Sequence, residues 1–418
     1  MRDARTSFWP LAAIVAAAAL LLYMPTWRYD YTYLDDNNLI LDQQSFLSKT
    51  SSPYAVFGLS FFGDKRDTYY RPVVNLSFAF NVLADGIRPF GFHLANGLLH
   101  AAACVLLLAL LRRLGIGDLN SLLSALFFVV HPVHAASVAW IPGRNDTLLG
   151  CFTFSACLLL LRDARIPGLI AKTGHLLCLL LALLTKETAL CLPFLFIVLL
   201  WAAEGRSALF QRGWMWSGWC ISFALYFAAR YAVITPPPGY VADQFLTVLQ
   251  GWPVLLSDIG KLLLPVRLQV IAAPIDTLKW PGVVVATIIG ATCFLRGIRR
   301  RVVTLAVAFL ALPLLMSLLG AKYVVLETRL YLPAAGICIL LGEVIRTTRL
   351  QSAKTKNIVL SISAVLCVLF CIITLRYIPS FADRVRFSDA AISGSPNSAI
   401  AGNLRFKAQH PDMFNTSP

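Results

Sequence analysis

Long, mainly apolar runs recur along the whole chain, separated by short loops that carry arginine and lysine. A helix that crosses a bilayer needs about 20 such residues. Eleven runs fit that description, at 8–24, 92–111, 119–139, 146–161, 171–185, 189–203, 214–234, 282–295, 302–319, 332–345 and 357–375. The first follows Arg2 and Arg5; no small-residue cleavage site follows it, so it reads as an uncleaved anchor. Residues 245–264 are also apolar, but Gly251 and Pro253 interrupt them and Asp258 and Lys261 lie within. That segment reads as interfacial or re-entrant rather than as a twelfth span.

If the eleven spans alternate, the basic loops fall on one side. Arg112 and Arg113, Arg162 and Arg165, Arg206 and Arg212, the cluster Arg296, Arg299, Arg300 and Arg301, and Arg346, Arg349, Lys354 and Lys356 all share the side of the amino terminus. Excess Lys and Arg marks the cytoplasmic face. The pattern therefore predicts an all-α polytopic membrane protein with a membrane domain over 1–376. Its first external loop, 25–91, is long, aromatic and helical, a second external or re-entrant segment covers 235–281, and a tail over 377–418 is also external. In a bacterium it would be a multi-pass protein of the cell inner membrane with its outer face in the periplasm. In a eukaryote that face would be the lumen of the endoplasmic reticulum.

Composition narrows the class. Charged residues make up 14% of the chain against about 25% in soluble proteins, which excludes a soluble domain. The net charge of +15 is dispersed over loops rather than gathered on a polar domain, so it points to lipid headgroups and not to nucleic acid. The ten cysteines all sit in apolar runs without metal-ligand spacing and read as small hydrophobic residues.

The polar clusters gather on the outer face. YTYLDDNNLI carries Asp35 and Asp36; then come Tyr70 and Arg71, HPVHAASVAWIPGRND with His131, His134, Arg144 and Asp146, TKET with Lys186 and Glu187, and LETRLYLP with Glu327, Arg329 and Tyr331. A carboxylate can take a proton from an acceptor hydroxyl, and cations at headgroup depth can hold a departing phosphate. Blander readings stand beside these. The acidic pair can cap a short helix. The two histidines lack a third ligand for a metal, and the cations can anchor in headgroups. Glu187 can simply neutralise Lys186. His93, Asn96 and His100, at helical spacing, read as bonds to neighbouring helices.

In order along the chain, YLDDNNLI, YYRPVVNLSFAFN, FHLANGLLHA, ALFFVVHPVHAASVAWIPGRND, LLTKETALCLP and ETRLYLPAAG resemble the transmembrane and tetratricopeptide-repeat-containing O-mannosyltransferases and their bacterial relatives, of the GT-C glycosyltransferase superfamily. The resemblance covers about residues 30–335. It implies a polyprenyl- or dolichyl-phosphate sugar donor and inverting transfer to a hydroxyl on the outer face. The acceptor would be a protein Ser/Thr, a glycan or a lipid, and membrane lipid is a further partner.

The resemblance implies Asp35 as base, with Asp36 a close second that could instead orient the acceptor or bind a divalent metal such as Mg or Mn. Arg329, Lys186 and Arg144 are expected at the donor phosphate. Arg71, Tyr70, His131, His134, Glu187, Glu327 and Tyr331 are expected to contact the acceptor or support the site. Two departures stand out. Relatives often carry an acid where this chain has Ala135 and Ala136, and they continue into a repeat array where this tail resembles at most one degenerate helical pair. Two alternatives from other classes are a transporter of a lipid-linked substrate and a catalytically silent membrane scaffold.

Overall fold

The computed structural model describes residues 7–49, 52–63, 68–161, 168–235, 240–320, 324–348 and 353–409. Arg162, Arg165 and Arg349 of the basic loops lie outside these. Within them the chain is helical, with one isolated antiparallel bridge between Ala272 and Val325.

The first helix, α1 (Phe8–Tyr23), leads into the external loop. There α2 (Pro72–Asp85) follows two one-turn helices, Gln44–Leu47 and Ser52–Ala55. Next come α3 (Pro89–Arg113), α4 (Asp118–Val129), α5 (Arg144–Leu160), α6 (Leu169–Leu183), α7 (Leu192–Glu204) and α8 (Gly213–Val233). The second half contains α9 (Tyr240–Lys261), α10 (Trp280–Thr292), α11 (Arg300–Ser317), α12 (Tyr331–Thr348) and α13 (Ala353–Tyr377). Two tail helices, α14 (Arg384–Gly394) and α15 (Ala399–Gln409), complete it. Proline opens α2, α3, α7 and α10 within their first two residues, where its missing N–H costs nothing.

Each of the eleven apolar runs is helical. By length and apolarity, however, six helices among the described residues qualify to cross a membrane, or seven if a bent pair counts as one. The six are Phe8–Arg28, Pro89–Arg113, Glu187–Glu204, Arg300–Ser317, Glu327–Thr347 and Asn357–Phe381. The bent pair is Asp118–Val129 with Pro132–Val138, broken by 48°. The remaining runs are shorter helices (α5, α6, α10) or, in α8, a helix made more polar by Trp214, Trp216, Trp219 and Arg230.

The break in the bent pair has a local cause. Pro132 has no N–H to continue the ladder, and both flanking histidines turn to backbone. His131 Nδ1 accepts from Val133 N–H at 3.4 Å, and its Nε2 lies 2.8 Å from the Leu262 carbonyl. His134 Nδ1 lies 2.8 Å from the Phe128 carbonyl. The core runs through α1, α3, α4, α5, α7, α11 and α12, with α12 packed on α11, α5 on α3 and α6, and α3 on α1.

Most of segment 245–264 lies in α9, which ends at Lys261 and is amphipathic. Phe245, Leu246, Leu249 and Trp252 are exposed on it, while Ser257, Asp258 and Lys261 are buried. It packs on α10 at a point of near backbone contact. A Cβ on Gly282 would lie 1.8 Å from the Leu256 carbonyl oxygen, and one on Gly260 would lie 2.7 Å from Gly282 N.

The two tail helices are held to the rest by Asp276. Its carboxylate accepts from Ser395 Oγ at 2.5 Å and from Asn397 Nδ2 at 2.6 Å, while Gln269 Nε2 donates to the Gly394 carbonyl at 2.7 Å. The Asp276 carboxyl is held below its ordinary pKa: burial works the other way, but these hydrogen bonds outweigh it.

Gly282→Val should force α9 off α10 and cost about 1–3 kcal/mol, as overpacking does. Gly290→Val on the same helix, where a Cβ meets nothing within 4 Å, is the control. Thermal unfolding in detergent should separate the two, with only Gly282→Val melting early.

Candidate active site

The acidic pair begins a helical turn just after a strained residue. Tyr33 has φ of 60°, a left-handed conformation that an aromatic residue seldom adopts, and the Arg384 guanidinium lies 5.2 Å from its ring centre. The two carboxylates then part. Asp36 is fully buried, and its Oδ2 accepts from Thr32 N–H at 2.7 Å and from Thr32 Oγ1 at 2.5 Å. Thr32 Oγ1 in turn accepts from Trp140 Nε1 at 3.0 Å. Asp35 instead faces a cavity of about 390 Å³.

That cavity draws its walls from the whole chain. The stretch between α1 and α2 supplies Asp35, Phe61, Phe62, Tyr69 and Arg71. Trp140 and Gly143 come from the turn before α5, Asn145 from the first turn of α5, Lys186 from the turn before α7, and Leu326, Thr328 and Arg329 from the turn before α12. Ile271 and Ile400 close it from the segment between α9 and α10 and from α15. Four of the residues expected from sequence, Asp35, Arg71, Lys186 and Arg329, therefore share one wall-to-wall space.

Two ion pairs organise the cations. Arg71 NH2 lies 2.7 Å from Glu187 Oε2, with the guanidinium stacked 4.6 Å from the Tyr69 ring centre and 4.9 Å from that of Phe61. Lys186 Nζ lies 2.6 Å and 2.7 Å from the Asp146 oxygens and 3.3 Å from Asn145 Oδ1. Lys186 and Glu187 thus bind different partners, so the simple neutralisation of one by the other does not occur. Arg230 of α8 adds a second cation 4.0 Å from Glu187. Arg329 donates to the Val324 carbonyl at 3.1 Å.

Burial raises Asp35 from its ordinary 3.8 to about 7, with the neighbouring Asp36 adding to the rise and Arg71 opposing it. Asp36 is raised to about 6 by burial, against the lowering effect of its bonds to Thr32. A carboxyl near 7 is matched to proton abstraction at neutral pH.

Several expected residues lie elsewhere. Arg144 is 1% exposed and does not line the cavity. Its guanidinium donates to Asn96 Oδ1 at 2.7 Å, Asn81 Oδ1 at 2.5 Å, the Phe92 carbonyl at 2.9 Å and the Ser77 carbonyl at 3.2 Å. The expected phosphate contact is replaced by a clamp joining α2, α3 and α5. Asn96 completes the clamp by donating to the carbonyls of Val138, Trp140 and Ile141, which is the interhelical role its spacing implied.

His131 and His134 staple the chain break. Tyr331 is fully buried with its hydroxyl 2.8 Å from His100 Nδ1, and Tyr70 donates to the Phe57 carbonyl at 2.9 Å. Glu327 accepts from Lys261 Nζ at 2.8 Å and from Gln269 N–H at 2.7 Å, fixing the turn that carries Arg329. These five support the site rather than line it. Ala136, the place of the missing acid, is buried against Gly143, where a Cβ would come 2.3 Å from the Ala136 carbonyl oxygen. Ala136 itself does not line the cavity.

Sequence reasoning passed over Asn145 and gave Tyr69 and Asp146 no role of their own; their signal was position within YYRP and GRND. Among the described residues, no group of three or more His, Cys, Asp and Glu side chains is placed to hold a metal ion.

The fold and cavity define a polytopic helical membrane protein with one carboxylate facing several cations at one end of the bundle. No family model matches the chain. Among curated proteins, the chain is similar to TMTC protein O-mannosyl-transferases, the proteins whose motif order it resembles. Protein O-mannosyl-transferase TMTC4 of Homo sapiens is 27% identical over 411 residues, covering 80% of this chain and 55% of that protein. Protein O-mannosyl-transferase tmtc2 of Xenopus laevis is 33% identical over 159 residues, covering 37% and 19% respectively. For TMTC2 of Homo sapiens the identity is 32% over 189 residues, covering 42% and 22%. The chain therefore spans about half of the TMTC4 protein and about a fifth of the TMTC2 proteins.

Arg144→Lys should lose at least two of the clamp's hydrogen bonds, since an ammonium cannot reproduce the planar fork. We expect a cost of about 2 kcal/mol, read as a lower thermal midpoint in detergent.

Proposed function

We propose that the protein is an integral membrane glycosyltransferase of GT-C type. It moves a mannose-like hexose from a polyprenyl-phosphate donor to a hydroxyl acceptor on the outer face, the acceptor being a protein Ser/Thr, a glycan or a lipid. The observation that carries this reading is the cavity in which Asp35 faces Arg71, Lys186 and Arg329. The relatives' name, protein O-mannosyl-transferase, supports the transfer of a mannose-like sugar.

In the proposed step Asp35 takes the proton from the acceptor hydroxyl, and that oxygen attacks the anomeric carbon. The bond from that carbon to the phosphate oxygen breaks, the polyprenyl phosphate leaves with the electron pair, and the configuration inverts. Arg329 and Lys186 stabilise the leaving phosphate, and Arg71 sets the field around it. Asp36, tied to Thr32, orients the turn that presents Asp35. The active face is the one opposite the basic loops.

Purified protein incubated with polyprenyl-phosphate mannose and a hydroxyl acceptor should transfer sugar. Asp35→Asn should slow this on the order of 10²–10⁴-fold. Equal transfer by Asp35→Asn and wild type would overturn the reading and favour a silent scaffold. Because the base must be unprotonated, wild-type turnover should rise with pH and level off above about 7, the value at which Asp35 titrates. A profile flat from pH 5.5 to 8.5 would remove Asp35 as the base.

A further inference from the structure

At the opposite end of the bundle from the acidic pair, three helix ends enclose a second cavity of about 310 Å³. The end of α3 contributes Arg113 and Leu114, the end of α7 contributes Ala202 and Ala203, and the start of α11 contributes Arg299, Arg300, Arg301 and Val302. Four arginines thus line one small space, brought together from parts of the chain nearly two hundred residues apart.

The four are not equivalent. Arg299 is committed to the fold: it meets Glu343 at 2.6 Å and donates to the Leu114 carbonyl at 2.9 Å. Arg113 donates to the Leu161 carbonyl. Arg301 lies with its guanidinium 5.6 Å from the Trp201 ring centre, and among the described residues no carboxylate pairs with Arg300 or Arg301. Glu343 is engaged by both Arg299 and Arg346, and Glu204, which follows Ala203, is engaged by Arg212. The first turn of α11 adds the positive end of its dipole. Uncompensated positive charge therefore converges on a recess at the end of three helices, with the strongly exposed apolar side chains of Phe294 (89%) and Leu295 (41%) on the loop just before it.

We infer that this recess binds the phosphate headgroup of an anionic phospholipid from the leaflet on the basic side. Arg300 and Arg301 contact the phosphate, and the acyl chains descend along the apolar surface beside α11. The depth decides between lipid and free phosphate: the recess opens at the termini of spanning helices, where headgroups lie, and exposed Phe294 and Leu295 suit acyl chains rather than water. The site is separate from the proposed donor cavity and stands whether or not that proposal holds.

The test is native mass spectrometry of the whole purified chain in detergent with phosphatidylglycerol, with phosphatidylcholine as comparison. The expected result is one tightly retained phosphatidylglycerol that the Arg300→Ala/Arg301→Ala double variant loses, with affinity falling on the order of twentyfold for two headgroup-facing cations. Arg296→Ala, which removes a charge from the same loop but outside the recess, should retain it. Equal retention of phosphatidylcholine, or an equal loss in Arg296→Ala, would overturn the site in favour of diffuse attraction. Displacement by millimolar inorganic phosphate would overturn the lipid assignment in favour of a soluble anion. If the double variant melts early, Arg300→Gln/Arg301→Gln replaces it, and retention of the lipid by that variant also overturns the proposal.

Discussion

The structure depends on placing charge where there is little water to solvate it. A buried ion without a partner is costly enough to unfold a domain, so every such group must find opposite charge or a full set of hydrogen bonds. Lys186 and Glu187, adjacent in sequence, answer this by reaching in different directions, one to Asp146 on α5 and the other to Arg71 at the start of α2. Arg144 answers it differently, with neutral oxygens alone. Together these contacts tie the external loop to the helix ends. The cavity is the space left between the elements they hold apart.

From that arrangement follows a division among residues of the same chemical type. Asp35 and Asp36 are neighbours, yet the left-handed Tyr33 and the Thr32 bonds turn one inward as an internal strut and leave the other facing open space. Arg144 and Arg329 both looked like phosphate contacts, yet one is walled in by Phe78, Phe92 and two asparagines while the other borders the cavity. Identity of side chain fixes what a residue can do. Its neighbours decide whether it meets a ligand.

Much of this was legible in the sequence. The apolar runs gave the helical class, and the basic residues Arg113 and Arg299–Arg301 do meet in one recess while Asp35, Arg71, Lys186 and Arg329 meet in another. The spacing of Asn96 and His100 correctly indicated bonds between helices. What local pattern could not carry was pairing between distant segments. Nothing in TKET shows that its lysine meets Asp146, nothing in HPVH shows that its histidines bond to backbone, and length alone did not separate helices able to cross a bilayer from shorter ones such as α10.

The placement of Ile400 bears on the order in which the molecule is made. One wall of the cavity belongs to α15, held there by the bonds of Asp276 to Ser395 and Asn397, while Asp35 enters near the beginning of synthesis. The bundle can insert and pack helix by helix as it leaves the ribosome, but the cavity has no complete boundary until α15 has been made and docked. A ligand met before then would find an open cleft rather than a finished chamber.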